Sequence, residues 1–461
     1  MTEKISTGCS GLDQVLHGGI PANTITVLMG APGTGKTILA EGIAFKNATK
    51  EFPVLYLTTL SEPLEKFILH GQQYDFFDPD KVGESVFYED LGRMLLDGGG
   101  GVENIPNIVA DLLLKYKPRL LFIDSFKALN ELFSDQSTRR VMIFELASAL
   151  SAYSCTSFLV GEYAQEMTTV LPEFAIADVV LNLMKYSTNV REQRFLRVEK
   201  LRGSDSVPGL HAFAITANGI SMYPRILTPK AVPDYSPKIE RVNTGITGLD
   251  EMVEEGFWRG STTLIAGPSG AGKTILALNF IREGAQQGES GLYVGFQENP
   301  NQMARVMQNL GWNGSELLES GLFELMYRSP VEMQLDTVAA EVFSRVLDGK
   351  IRRVVIDAIG DLERCSIDTQ RFANFIYTLM QWFAVQNVTC MMTYEIHELF
   401  DVHSISGQQI SNMTDNLVLL GLTGDQEMKR TIRIIKTRGS AHDNRRHDLE
   451  ITNNGVFIKK S

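Results

Sequence analysis

The stretch GAPGTGKTILA at residues 30–40 returns as GPSGAGKTILA at 267–277, 237 positions later. Around it Thr7, Gly8, Gly11, Leu12, Asp13 and Gly19 also recur at that offset, as do the runs VLYLTTLSEP at 54–63 and GLYVGFQENP at 291–300. RLLFIDSF at 119–126 matches RRVVIDAI at 352–359 after 233 positions, and KLRGS at 200–204 matches KTRGS at 436–440 after 236. An offset that drifts so little marks duplication of a whole domain. The chain must therefore build one unit twice.

Its 461 residues agree with that, because single cores stop growing at about 250–300 residues. Between the copies, YPRILTPKAVPDYSPKIE holds Pro224, Pro229, Pro233 and Pro237 and has no apolar period, which predicts an extended connector. The expected divisions are a first domain over 1–224, a linker over 225–241 and a second domain over 242–461.

Within each copy, short runs rich in Val, Ile and Leu (TITVLMG, VLYLTT, RLLFID, TSFLVGE) alternate with helical patterns, and a polar-apolar alternation follows in QRFLRVEKL. Buried parallel strands joined by helical crossovers produce that order. Each half is expected to be α/β, with a mostly parallel sheet between helical layers.

A hydrophobic fraction of 44% and a charged fraction of 21% belong to a globular chain. The net charge of −12 opposes a general attraction to nucleic acid or anionic lipid. Cys9, Cys155, Cys365 and Cys390 are too scattered for a CxxC metal site and read as buried thiols in a reducing compartment. No stretch approaches the roughly 18 apolar residues of a membrane span, and the start MTEKISTGCSGLD lacks an apolar leader, so the expected location is the cytoplasm.

Both repeated loops fit GxxxxGK[ST] between a strand and a helix, the setting in which backbone N–H groups curl around phosphates. The predicted nucleotide-binding residues are Gly30, Ala31, Pro32, Gly33, Thr34, Gly35, Lys36, Thr37 and Ile38, with Gly267, Pro268, Ser269, Gly270, Ala271, Gly272, Lys273, Thr274 and Ile275 in the second copy. Lys36 and Lys273 would reach the β- and γ-phosphates. Thr37 and Thr274 would complete Mg²⁺ coordination with Asp124 and Asp357, each ending a strand at the ligand crevice, where a Walker B carboxylate holds the metal through water. Water activation needs a further carboxylate or amide. Glu298, beside Gln297, takes that role in the second copy. The first copy has Leu60 and Ser61 in register and Glu62 one place on, so the two sites are expected to be unequal. Glu162 and Glu395, each ending a later strand, are further candidates for γ-phosphate contact.

The KxRGS segments supply cations. Lys200 with Arg202, and Lys436 with Arg438, are spaced to point to one side of a strand end. That strand lies beyond reach of its own phosphate loop, so these cations would act on a neighbouring copy in a ring as arginine-finger groups. Leu201, Ser204, Thr437 and Ser440 beside them are assigned to the same ATP sites.

Two phosphate loops, two Walker B strands, two KxRG segments and the TGxxGLD lead-in together resemble the KaiC family of double RecA-like ATPases over nearly the whole chain. The resemblance implies tandem RecA-like P-loop domains and a homohexameric double ring, with ATP and Mg²⁺ between subunits. It also implies slow hydrolysis, signalling to a protein partner and, in clock members, serine/threonine autophosphorylation in the second ring. ATP over GTP rests on the resemblance and on the lack of an NKxD segment. The family's phosphoacceptor pair falls on Ser411 and Asn412, leaving Ser411 as the matched hydroxyl with Ser406 nearby. Clock members carry a tail beyond the position of Ser461, so a circadian role is not expected to transfer unchanged. The competing readings are a RecA- or helicase-like ATPase acting on nucleic acid, and a nucleotide-sensing scaffold with little turnover.

Overall fold

The computed structural model describes residues 3–59, 64–97, 101–133, 135–187, 191–229, 239–331, 333–396, 410–424, 427–452 and 455–459. Contacts divide the chain into two compact units, Met1–Arg225 and Ile226–Ser461. Each is α/β and each contains a nine-stranded sheet.

In the first unit the strands are β1 (Ile25–Gly30), β2 (Val54–Thr58), β3 (Val86–Asp90), β4 (Leu120–Asp124), β5 (Thr156–Gly161), β6 (Val179–Ser187), β7 (Glu192–Leu201), β8 (His211–Thr216) and β9 (Gly219–Tyr223). Their order across the sheet is β9-β8-β7-β6-β1-β5-β4-β2-β3. From β3 to β6 every neighbour is parallel. β6 to β9 are antiparallel.

The second unit repeats this order with β10 (Thr262–Gly267), β11 (Gly291–Gly295), β12 (Phe323–Tyr327), β13 (Arg353–Asp357), β14 (Thr389–Glu395), β15 (Asn416–Thr423), β16 (Lys429–Thr437), β17 (His447–Thr452) and β18 (Gly455–Lys459).

The unbroken apolar runs are the central strands. β1 and β2 are buried at every position because helices cover both faces. Side chains alternate between the faces: Val54 and Tyr56 join one core cluster with Leu39 and Ile43, while Leu55 and Leu57 join another with Val109 and Leu113. Sheet and helices thus form three layers. Among the described residues no helix is long and apolar enough to cross a membrane.

Parallel strands deliver all their C-terminal ends to one edge of the sheet. The antiparallel β7 and β16 run back, so Lys200 pairs with Val180 near the start of β6 and Lys436 pairs with Leu417 near the start of β15. That reversal puts the phosphate loop and the KxRGS cations of one unit at opposite edges of its sheet.

Candidate functional site

In the first unit the loop after β1 runs directly into helix α1 (Lys36–Asn47), and Gly35 at its N-cap has φ 97°. In the second, Gly272 caps α2 (Lys273–Gln286) at φ 101°. A side chain is doubly excluded there. The left-handed backbone disfavours it, and an added Cβ would come 3.0 Å from Ile215 Cδ1 at Gly35 or 2.7 Å from Ile451 Cδ1 at Gly272. The loop is thereby folded back over the helix N-terminus, where unpaired N–H groups and the helix dipole favour an anion.

Lys36 is buried and its Nζ donates to Ala31 O at 2.9 Å, with Glu162 4.0 Å away. Burial lowers its pKa, against the opposing pull of Glu162 and Asp124. Lys273 Nζ donates to Gly267 O and Pro268 O, both at 2.8 Å, and burial lowers its pKa against Glu395 and Asp357. Each ammonium is held by loop carbonyls at the mouth of an anion cradle.

The carboxylate at the end of the fourth strand is the second fixed point. Thr37 Oγ1 donates to Asp124 Oδ2 at 2.7 Å, and Thr274 Oγ1 donates to Asp357 Oδ2 at the same distance. Sequence reasoning paired these residues by role but missed a third partner. Tyr56 donates to Asp124 Oδ2 at 3.1 Å, and Tyr293 to Asp357 Oδ2. Burial first, then the neighbouring aspartate, raises both phenol pKa values well above the usual one, so each stays a donor. The signal was available: Tyr56 and Tyr293 recur at the 237-residue offset. In the second unit Thr393 donates to Asp357 Oδ1. A hydroxyl and a carboxylate so close supply the hard oxygen donors that suit Mg²⁺, which keeps several waters and shares phosphate oxygens. Among the described residues no group of three or more His, Cys, Asp or Glu could hold a metal on its own. The chain's two oxygens fit a metal that arrives with a phosphate.

A cavity of about 650 Å³ joins Lys36, Thr37, Asp124 and Glu162 in the first unit, and Lys66 and Lys127 also line it. One of about 430 Å³ in the second joins Lys273, Thr274, Asp357, Gln297, Glu298 and Glu395. Glu298 therefore faces the phosphate loop, and burial followed by Asp357 raises its pKa. Gln297 Nε2 instead donates to Asp361 Oδ2 at 3.0 Å. Leu60, Ser61 and Glu62 lie outside the described residues, as does Ser406. Lys66 and Lys127 escaped sequence reasoning, because at the same offsets the second copy carries Met303 and Gly360.

The KxRGS cations are absent from both cavities' linings. Lys200 Nζ donates to Phe174 O at 3.1 Å, and Arg202 Nη2 to Ala175 O at 3.3 Å. Lys436 Nζ donates to Ser411 O at 3.0 Å and Thr414 O at 2.5 Å, and Arg438 Nη2 to Asn412 O at 2.6 Å. Phe174 and Ala175 are the positional equivalents of Ser411 and Asn412, so the two units hold their cations on the same carbonyls. Both arginine side chains remain more than half exposed.

A family model described as ATPase: KaiC matches residues 5–226 and again residues 242–461. The chain belongs to the KaiC family. Circadian clock oscillator protein KaiC 1 of Synechocystis sp. is 28% identical over 479 residues, spanning 100% of this chain and 89% of the relative. KaiC of Thermosynechococcus vestitus is 29% identical over 480 residues, with the same coverage. KaiC of Synechococcus elongatus is 27% identical over 479 residues, covering 99% of this chain and 89% of its own. The protein is thus a KaiC-like, ATP-binding P-loop ATPase with tandem RecA-like domains.

Proposed function

We propose that this KaiC-family protein hydrolyses ATP at the subunit interfaces of a homohexameric double ring and signals its ring state to a protein partner. The observation that carries the reading is the opposition of edges. Lys36, Thr37 and Asp124 gather at one edge of the first sheet while Lys200 and Arg202 sit at the other. Lys273, Thr274 and Asp357 are separated from Lys436 and Arg438 in the same way. A nucleotide bound at either loop lies at the opposite edge from its own unit's cations, which supports their supply by an adjoining copy.

In this reading the backbone N–H groups of 30–38 and 267–275 bind the phosphates, with Lys36 or Lys273 on their outer oxygens. Thr37 with Asp124, and Thr274 with Asp357, would hold Mg²⁺, which when bound would supply positive charge to offset that of the phosphates. Glu298 orients the attacking water in the second unit. The adjoining protomer's Arg202 or Arg438 stabilises the transferring phosphoryl group, with Lys200 or Lys436 beside it as a point charge.

Ser411 belongs to the second unit alone, since Phe174 stands at its equivalent position. Its carbonyl already holds Lys436, so its hydroxyl shares the edge that would face the neighbour's γ-phosphate. A weak autokinase follows: the Ser411 oxygen bonds to the γ-phosphorus, ADP leaves, and the hydroxyl proton passes to the neighbour's Glu298.

Native mass spectrometry with and without ATP, followed by a phosphosite map, tests the reading. A hexamer that requires ATP is expected. A chain that stays monomeric at saturating ATP removes the proposal.

A further inference from the structure

Glu173 is fully buried and Asn130 nearly so, and Asn130 Nδ2 donates to Glu173 Oε1 at 2.7 Å. Burying a carboxyl and an amide costs free energy unless they are satisfied, so a contact of this kind in a core calls for a reason beyond packing. The second unit shows that packing alone does not require it. At the position equivalent to Glu173 it has Ile410, which lies in one apolar cluster with Ile396.

The two residues stand on segments that lead to opposite edges of the sheet. Asn130 ends the short helix Phe126–Asn130, whose N-cap Ser125 directly follows Asp124 and whose Lys127 lines the nucleotide cavity. Glu173 lies in the helix Pro172–Ile176, whose Phe174 and Ala175 carbonyls seat Lys200 and Arg202. Tyr163, two residues beyond Gly161 at the end of β5, packs its ring edge-on against Phe174 with centroids 5.1 Å apart. Burial raises the Glu173 pKa, opposed by its own backbone N–H, Tyr163 and Arg139.

We propose that Glu173 is a positioning residue for the first ring. Through Asn130 it ties the segment behind Asp124 to the carbonyls that present Lys200 and Arg202, linking the nucleotide a subunit holds to the cations it lends. It acts through Arg202 and rests on the reading that Arg202 serves the adjoining protomer.

The test uses the full chain carrying Lys273→Ala, so that only first-unit sites bind tightly, with assembly checked by native mass spectrometry. Equilibrium binding of ATP and of ADP is measured for Glu173→Ala, Glu173→Gln, Asn130→Ala and Arg202→Ala. Glu173→Ala and Asn130→Ala are expected to weaken ATP about tenfold, the scale of one charge-assisted hydrogen bond, while ADP binding stays within about twofold. Glu173→Gln keeps the acceptor and restores the ratio. A purely structural role would lower ATP and ADP binding together, which overturns the proposal. Loss of discrimination in Arg202→Ala but not in Glu173→Ala or Asn130→Ala overturns the role of Glu173 alone. Unchanged discrimination in Arg202→Ala overturns it together with the trans reading beneath it.

Discussion

The guanidinium of Arg202 stands 3.4 Å from Asp178 Oδ1, while Asp178 Oδ2 accepts the backbone N–H of Ile25 at 3.1 Å. Ile25 begins the strand that ends in the phosphate loop, so one carboxylate ties the Arg202 cation to the foot of the loop's own strand. Asp415 repeats the arrangement. It lies 3.8 Å from Arg438 Nη1 and accepts from Thr262 N at 2.9 Å. In the proposed ring, a cation fixed this way would be oriented before the neighbour docks, and preorganised charge is what stabilises a transition state.

Arg438→Ala is therefore expected to slow second-unit phosphate release by about 10³-fold, the low end of an arginine-finger loss. The measurement is made with Lys36→Ala in every chain, so that first-unit turnover is silent. Co-assembling Arg438→Ala chains with Lys273→Ala chains restores part of the rate, because some interfaces then combine an intact loop with an intact arginine. A co-assembly as inactive as its parents would show the arginine acting within its own subunit.

Much of this was readable in the chain. The duplication, the parallel strands and the Thr37–Asp124 and Thr274–Asp357 pairs follow from motifs whose chemistry fixes their spacing. Asp178, Asp415, Tyr56 and Tyr293 were not picked out, though each recurs at the 237-residue offset. Their roles arise only when strands distant in sequence become neighbours: Tyr56 needs β2 beside β4, and Asp178 needs β6 beside β1. Lys127 had no such repeat to flag it. Side-chain pairing across a sheet is a tertiary fact, and periodicity does not encode it.

Arg353 offers a test of stability. It is fully buried and donates to Glu289, to Asn243 O and Phe280 O, and to Gln287 Oε1, while Arg259 holds the other Glu289 oxygen. Burial works to raise the Glu289 carboxyl, but Arg353 and Arg259 outweigh it and hold its pKa below the usual glutamate value. Removing one partner of a buried pair leaves the other uncompensated, so Arg353→Ala is expected to cost about 3 kcal/mol. A depressed carboxyl stabilises above the unfolded pKa of about 4.3 and loses that contribution as pH falls through its lower folded value. All 3 tryptophans, Trp258, Trp312 and Trp382, lie in the second unit, so urea unfolding followed by their fluorescence isolates the effect. An unchanged midpoint would falsify the assignment.

The cysteines are expected to be inert in the native state. All four are buried and unpaired by disulfides. Burial pushes the Cys155 thiol up to about 12 and raises Cys390 as well. Since only the thiolate attacks, at pH 8 Cys155 has about one ten-thousandth of its molecules in reactive form. A chromogenic disulfide reagent should report almost no thiol before denaturation and all four after it. Rapid native labelling of Cys155 would contradict its burial.

The two nucleotide cavities differ in charge, and that difference predicts unequal affinity. Lys36, Lys66 and Lys127 line the first with Asp124, Glu131 and Glu162, whereas the second has Lys273 and Arg430 with Glu298, Asp357 and Glu395. Lys127 is 29% exposed and paired with Glu131 at 3.0 Å, so its ammonium is partly neutralised but stays at the cavity wall. An anion with several charges entering there meets one more cation, against an equal number of carboxylates, than in the second cavity, and the gain falls as salt screens it. Lys127→Ala is expected to weaken first-unit ATP binding about tenfold at low ionic strength, as loss of a charged hydrogen bond does. The deficit should shrink at 0.5 M salt, and the second-unit affinity, read in a Lys36→Ala chain, should not move. A salt-independent loss in both units would mean that the substitution disturbs folding, not the field at the phosphate.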